Sequence, residues 1–346
     1  MPMGKLVCLT LSGEMRMTSE KIFYEMSKVN NSSKTPKEFD YLFVSLNDLE
    51  ERAWSAVGEI SKKAIKIHQL IVFDFYGQED RIRYCLNDRT KLLIDDLEII
   101  TAQKEDYENN FRKLKGNDKI NVKSKVLGLD ISCIPTPQFF LLLKWFIKEN
   151  AKVVIYYTEP QKYIMSNGIF KSYFSMTGPV SVKEVRGFSG ATIKNSEVER
   201  VLLCMLGFDN NLLPIVIQEA VPGKIVAING FPSFYPKFKD ISLTNNEKVL
   251  SGTAFADRLQ KGKHLTNFVY VEADNPFDVY NVLDELKKEY SDYCIDVVPL
   301  GTKPMALGVC LFAIDNKDIR VVFPFPEEYA KATGDKSKKT LEYILA

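Results

Sequence analysis

The sequence predicts an α/β protein: two Rossmann-like three-layer domains with mostly parallel sheets. Three observations predict it. The chain has 346 residues, beyond the roughly 250–300 at which a single hydrophobic core stops growing. Short apolar runs rich in β-formers alternate with helical patterns of about 10–20 residues, the signature of βαβ units. The apolar runs end in polar residues, glycine or proline, as strands do where a parallel sheet opens onto a ligand crevice.

The elements follow in chain order. Residues 4–10 (GKLVCLT) read as a strand, and the polar run at 30–37 as a loop. A strand is expected at 41–46. Asn47 or Asp48 then caps a helix starting near Leu49, with Glu50 and Glu51 favourably placed in its first turn. Residues 67–75 (IHQLIVFDF) form a strand, and 78–96 an amphipathic segment with Ile82, Leu86, Leu92, Leu93 and Ile94 on its apolar side. A strand at 125–131 leads through a stiff proline-containing turn into a helix at 138–148, then a strand at 151–157. The glycine-bearing stretch 163–196 lacks a long helical period, with a strand at 180–185 and a tight connection at 187–190. The second half repeats the logic: strand 198–206, helix 211–220, strand 224–228, strand 268–272, and helix 277–290 opened by Asp274-Asn275-Pro276. Strand 294–298, a tightly packed apolar continuation from Met305, strand 319–325 and a short helix after 326–329 complete it. The expected domains are 1–165 and 197–346, joined by a connecting segment or hairpin at 166–196.

Composition bounds the function. Hydrophobic residues make up 45% and charged residues 26%, the balance of a soluble globular protein. The net charge of +1 provides no global field for nucleic acid, so direct nucleic-acid binding is not indicated. The six cysteines are scattered through apolar runs without metal-ligand spacing and read as buried thiols of a reducing compartment. With no signal-peptide pattern and no membrane-length apolar run, the expected location is the cytoplasm.

Common chemistries lack their motifs. There is no G-x-G-x-x-G after a strand, no phosphate-binding loop, no C-x-x-C and no G-x-S-x-G elbow. Of the two histidines, His68 opens an apolar strand and neither it nor His264 has metal-ligand spacing, so no metal or cofactor is expected. Catalysis would fall to carboxylates at strand ends, Asp74 or Asp130, which serve equally well as caps of the following helices. Ligand binding has more to draw on: Ser45, the turn Asn229-Gly230, and above all Gly301-Thr302-Lys303 with Met305. That turn offers backbone donors, a hydroxyl and a cation, which suit a phosphate-bearing ligand. Lys303 is the only charge between Asp296 and Asp315. The stiff aromatic loop 229–236 either covers a ligand base or ribose or fills a domain interface.

The segment 296–306 resembles the T-G-G-T-K-x-M segment of the CRISPR-associated Rossmann-fold sensor domains. The resemblance rests on Gly301, Thr302, Lys303 and Met305, and departs at Pro299-Leu300, where that family has Thr and Gly. It implies a sensor or accessory protein of antiviral defence that binds a cyclic or linear nucleotide, with cyclic oligoadenylate held at a homodimer interface in that family. Two other readings stand beside it. One is an enzyme acting on a nucleotide or sugar through its strand-end carboxylates. The other is an interaction subunit of a multiprotein complex without a small ligand. A homodimer or protein complex is expected, without membrane association.

Overall fold

A computed structural model describes residues 24–25, 35–47, 49–89, 93–161, 163, 176–190, 199–209, 211–251, 265–329 and 337–345. The expected strand at 4–10 and His264 lie outside these residues. The first half contains β1 (Tyr24–Glu25), β2 (Glu38–Val44), α1 (Ser55–Lys62), β3 (Lys66–Asp74), α2 (Glu79–Arg89) and β4 (Leu93–Thr101). It continues with α3 (Tyr107–Lys115), β5 (Val126–Asp130), α4 (Thr136–Lys148) and β6 (Lys152–Pro160). Then come β7 (Met176–Ser189), β8 (Arg200–Met205), α5 (Leu212–Ala220), β9 (Lys224–Gly230), α6 (Phe238–Asn245), α7 (Glu247–Leu250) and β10 (Leu265–Val271). The remainder is α8 (Pro276–Glu289), β11 (Cys294–Pro299), α9 (Lys303–Asp315), β12 (Arg320–Tyr329) and β13 (Ser337–Leu345).

The α/β class is as expected, and several local readings change. The helix expected from Leu49 begins as a 3-10 turn, Glu51–Trp54, with α1 from Ser55, and the tight connection expected at 187–190 is strand β7 as far as Ser189. The amphipathic segment 78–96 divides: α2 ends at Arg89 and β4 begins at Leu93. Leu93 and Ile94 belong to a sheet-edge strand paired with β3, not to a helix face. Residues 326–329 continue β12, paired with β7, and the short helix expected after them falls outside the described residues.

The strands form two sheets. The seven-stranded sheet has the order β1-β13-β6-β5-β2-β3-β4, and the six-stranded sheet β10-β9-β8-β11-β12-β7. From β4 to β6 and from β10 to β12 every pairing is parallel. The two halves share one winding. In the first, β2, β3 and β4 step outward, then the chain returns to set β5 and β6 on the other side of β2. In the second, β8, β9 and β10 step outward, then β11 and β12 return beside β8. Reversal of direction makes β2/β5 and β8/β11 the topological switch points, where side chains at the strands' carboxyl ends are free to meet a ligand.

The sixth strand of each sheet is exchanged. After β6 the chain crosses to place β7 antiparallel to β12 in the second sheet, and after β12 it crosses back to place β13 antiparallel to β6 in the first. Thus β7, inside the expected connecting segment, is a sheet strand. β13, inside the expected second domain, completes the first sheet.

Burial follows the period-two alternation of strands covered on both faces. Leu42 and Val44 of β2 face α1 and α2, whereas Phe43 faces inward with Phe146 of α4. In β8, Leu202 and Cys204 face α5, whereas Leu203 and Met205 face inward. The inward faces of both sheets, together with α3, α4, α8 and α9, share one continuous core. Helix α9 needs the small residue Gly308 there. A Cβ at that position would lie 2.4 Å from the Pro276 carbonyl oxygen and 2.7 Å from Val279 Cβ on α8. Gly308→Ala is therefore expected to push α8 from α9 and cost about 1–3 kcal/mol, read as a lower denaturant midpoint in equilibrium unfolding.

Candidate functional site

The first switch point is built from β2, β5 and the turns that follow them. Asn47 Oδ1 accepts from the backbone N–H groups of Leu49 (2.8 Å) and Glu50 (3.0 Å), which closes a turn ahead of the helical turn Glu51–Trp54 and of α1 and does not cap either. The Trp54 indole N–H donates to the Asn47 carbonyl at 2.8 Å and fixes that turn. Asn47 Nδ2 and Ser45 Oγ, both buried, have no hydrogen-bond partner. On β5, Asp130 accepts from the Ser132 N–H (2.9 Å) and hydroxyl (2.5 Å). Burial pushes the Asp130 carboxyl up to about 6, against those hydrogen bonds and the attraction of Arg52 and Lys303. Arg52 pairs with Glu50 at 2.7 Å.

At the end of β6 the buried Glu159 accepts hydrogen bonds from the Tyr157 and Tyr163 hydroxyls. Tyr163 reaches the second half, its ring 4.9 Å from that of Phe208 and 5.5 Å from that of Phe238. Tyr157 meets Phe234 at 5.9 Å. Phe234 thus packs at the junction of the halves, which is the interface role open to the aromatic loop. Phe231 of the same loop is exposed beside Tyr270.

The second switch point is internally filled. Thr302 caps α9, accepting from the Met305 N–H at 3.3 Å, and its hydroxyl donates to the Ala273 carbonyl at 2.6 Å. Asn229 donates to the Lys239 carbonyl at 3.1 Å and accepts from the Ser242 hydroxyl at 2.6 Å. Met305 is buried, and its sulfur occupies the space that a Cβ would need at Gly230 (3.3 Å) and Gly301 (2.9 Å). A Cβ at Gly207 would lie 2.1 Å from the Leu300 carbonyl oxygen, so β8 and β11 close on each other there.

Lys303 joins the two switch points. It stands at the start of α9, yet its ammonium crosses to donate to the Ile134 carbonyl before α4 and lies 5.4 Å from the centre of the Phe139 ring. Burial, with the repulsion of Arg52 and Lys104, pulls its pKa down to about 7 against the attraction of Asp130. Burial also pushes the Cys133 thiol up to about 12, which leaves it protonated and unreactive at neutral pH. Lys303 is therefore a cation placed where being charged is costly.

Of the residues singled out in the sequence, Ser45, Asp130 and Lys303 belong to this junction. Thr302, Asn229, Gly230, Gly301 and Met305 cluster at the second switch point, where their recorded contacts are internal. Asp74 accepts from the Tyr76 N–H at 3.0 Å in its own turn, on a strand separated from that of Asp130 by β2. Among the described residues no group of three or more His, Cys, Asp or Glu side chains is placed to hold a metal ion. No helix among them is long and apolar enough to cross a membrane. Sequence reasoning missed Arg52 and Gln138. Each lies in a helical turn just after a strand end, a position that marks such residues once the strand order is known.

No family model and no curated protein matches the chain. Among solved structures it is similar to a type III CRISPR defence DNA nuclease activated by cyclic oligoadenylate, with 9% identity and a TM-score of 0.48. The match covers 82% of this chain and spans 65% of that one. A functionally unknown protein from Pseudomonas aeruginosa PAO1 matches at 8% identity and a TM-score of 0.23, over 82% of this chain and 92% of that one.

The lysine makes a prediction independent of any ligand. Its pKa is lower in the folded than in the unfolded chain, so it opposes folding fully below pH 7, and the penalty fades as pH rises toward the unfolded value of 10.5. Lys303→Met is expected to raise the thermal midpoint, most at pH 6 and least at pH 10, read by scanning calorimetry across that range.

Proposed function

We propose that this protein is a nucleotide sensor or accessory protein that binds a phosphate-bearing ligand at the junction of its two switch points. A role in antiviral defence is the setting implied by the resemblance of its Gly301-Thr302-Lys303-Pro304-Met305 segment. The observation that carries the reading is Lys303. The half-buried ammonium, drawn down to about 7 by burial and by the repulsion of Arg52 and Lys104, is a group that an incoming anion stabilises. Two supports stand beside it: the carboxyl ends of parallel strands are where α/β folds hold ligands, and buried polar atoms at the end of β2 lack partners. Within this reading Thr302, Gly301, Gly230 and Asn229 shape the turns, while Lys303 and Ser45 address the ligand. The enzymatic alternative draws less support, because Asp74 and Asp130 each serve their own turn.

The test is isothermal titration of the full chain with AMP, a linear 5′-phosphorylated di-adenylate and cyclic tetra-adenylate. At least one is expected to bind, and Lys303→Ala to weaken it by about 10- to 100-fold, the range for loss of a charge-assisted contact of about 1.5–3 kcal/mol. An anion raises the lysine pKa, so binding takes up a proton. Affinity is expected to be higher at pH 6.5 than at pH 8.5, with the titration heat dependent on buffer ionisation. Absence of binding by every probe would overturn the proposal.

A further inference from the structure

The shared winding of the two halves makes their switch points directly comparable, and the comparison is unequal. Helix α4 follows β5 as α9 follows β11. Both helices have 13 residues and carry proline in the first turn. Aligned on that proline, Thr136 stands opposite Lys303 and Gln138 opposite Met305. Where Met305 plugs the second switch point between Gly230 and Gly301, the first has the Gln138 amide. Its oxygen accepts from Asn110 Nδ2 at 3.0 Å, while its buried Nε2 has no partner.

The same contrast holds at the central strands. After β2 come Ser45 and Asn47, each with a buried polar atom lacking a partner. After β8, at the matching positions, come Leu206 and Phe208. The carbonyl oxygens of Gly207 and Phe208 are taken by the Asn246 and Asn245 amides, at 3.0 and 2.5 Å. Asp209 serves its own turn by accepting from the Asn211 N–H at 2.9 Å. A buried donor left unpaired costs about 1–3 kcal/mol. Three such side chains, Ser45, Asn47 and Gln138, set the first switch point apart from the second, which is plugged by a methionine and closed by its glycines.

We propose that only the first switch point receives the ligand. It takes one phosphate-bearing nucleotide per chain, without two-fold symmetry, on Ser45, Asn47 and Gln138. The second switch point is a filled counterpart whose contribution is Lys303, delivered across the junction. This rests on the phosphate-ligand reading above and deepens it. A two-fold ligand would require equivalent contacts from both halves, and the second half has spent its equivalents on itself.

The experiment compares matched substitutions in the two halves of the full chain, using titration with the linear 5′-phosphorylated di-adenylate and with cyclic tetra-adenylate. Ser45→Ala removes a hydroxyl without a partner, so the unliganded protein is expected to keep or raise its thermal midpoint while its affinity falls about 3- to 10-fold. Asn47→Asp keeps the oxygen that caps the turn and removes the donor; it is expected to weaken binding at least tenfold. Should Asn47→Asp fail to fold, Ser45→Ala carries the test alone. Asp209→Asn, the corresponding turn of the second half, is expected to leave affinity unchanged. The linear probe is expected to bind at one per chain and more tightly than the cyclic one. Equal losses from Asp209→Asn and Ser45→Ala, two probes per chain, or tighter binding of the cyclic probe would overturn the one-sided site and leave the phosphate-ligand reading standing. No binding of either probe to the unsubstituted protein would remove both.

Discussion

The reciprocal exchange of β7 and β13 is the constraint on which the rest of the structure depends. Each sheet is completed by a strand that the other half supplies. The halves therefore cannot part without breaking two antiparallel ladders, β7 with β12 and β13 with β6. That locks the orientation in which the inward faces of both sheets share one core. It also keeps the carboxyl ends of β5 and β11 close enough for a single lysine side chain to span them. Smaller links follow from the same lock: the Tyr343 hydroxyl on β13 donates to the Asp274 carbonyl at 2.7 Å, and Tyr107 stacks on Phe325 of β12 at 5.4 Å.

Within that frame the two halves have taken different roles. The second sheet is anchored at the end opposite its switch point by the fully buried Asp296, which accepts from Arg200 (2.9 Å) and Arg320 Nε (2.8 Å) on the strands beside it. A carboxylate shared by two guanidiniums ties β8, β11 and β12 together at their amino-terminal ends. At the other ends of the same strands, Met305 and the glycines close the sheet. The second half is thus tied at both ends of its strands, and α9 projects Lys303 from it. The first half keeps polar groups unpaired at its switch point, and its arginine is already balanced by Glu50. The electrostatic demand of the junction accordingly converges on the lysine.

Much of this was legible in the sequence, for identifiable reasons. Strands such as β5, β8 and β9 are buried on both faces, so their apolar runs are unbroken and bounded by turn residues. One cap announced itself too: Asn275 accepts the Phe277 N–H where its position predicts. β4 was hidden because an edge strand is half exposed and interrupted by Asp95, Asp96 and Glu98, which breaks the apolar run. β13, with its lysines and single glutamate, shows the same weakness. The exchange itself left no local mark, since which sheet a strand joins is decided by partners more than a hundred residues away. The Gly301–Lys303 turn stood out through its isolated charge. The sequence could not tell that Thr302 and Met305 serve the helix and the plug, because capping and ligand contact ask for the same residue types.

The placement of β13 also sets a clock on synthesis. The outer edge of β6 waits for a partner about 180 residues further along, which at about 5–20 residues per second is roughly 10–35 seconds of translation. Throughout that interval a strand reading Val153-Val154-Ile155-Tyr156-Tyr157 offers an unpaired, uncharged edge, the kind that recruits other chains. The nascent protein is therefore most vulnerable to aggregation late in its synthesis. A chain truncated before residue 337 keeps that vulnerability permanently, which would show as loss of soluble yield while the helices and parallel ladders remain encoded in full.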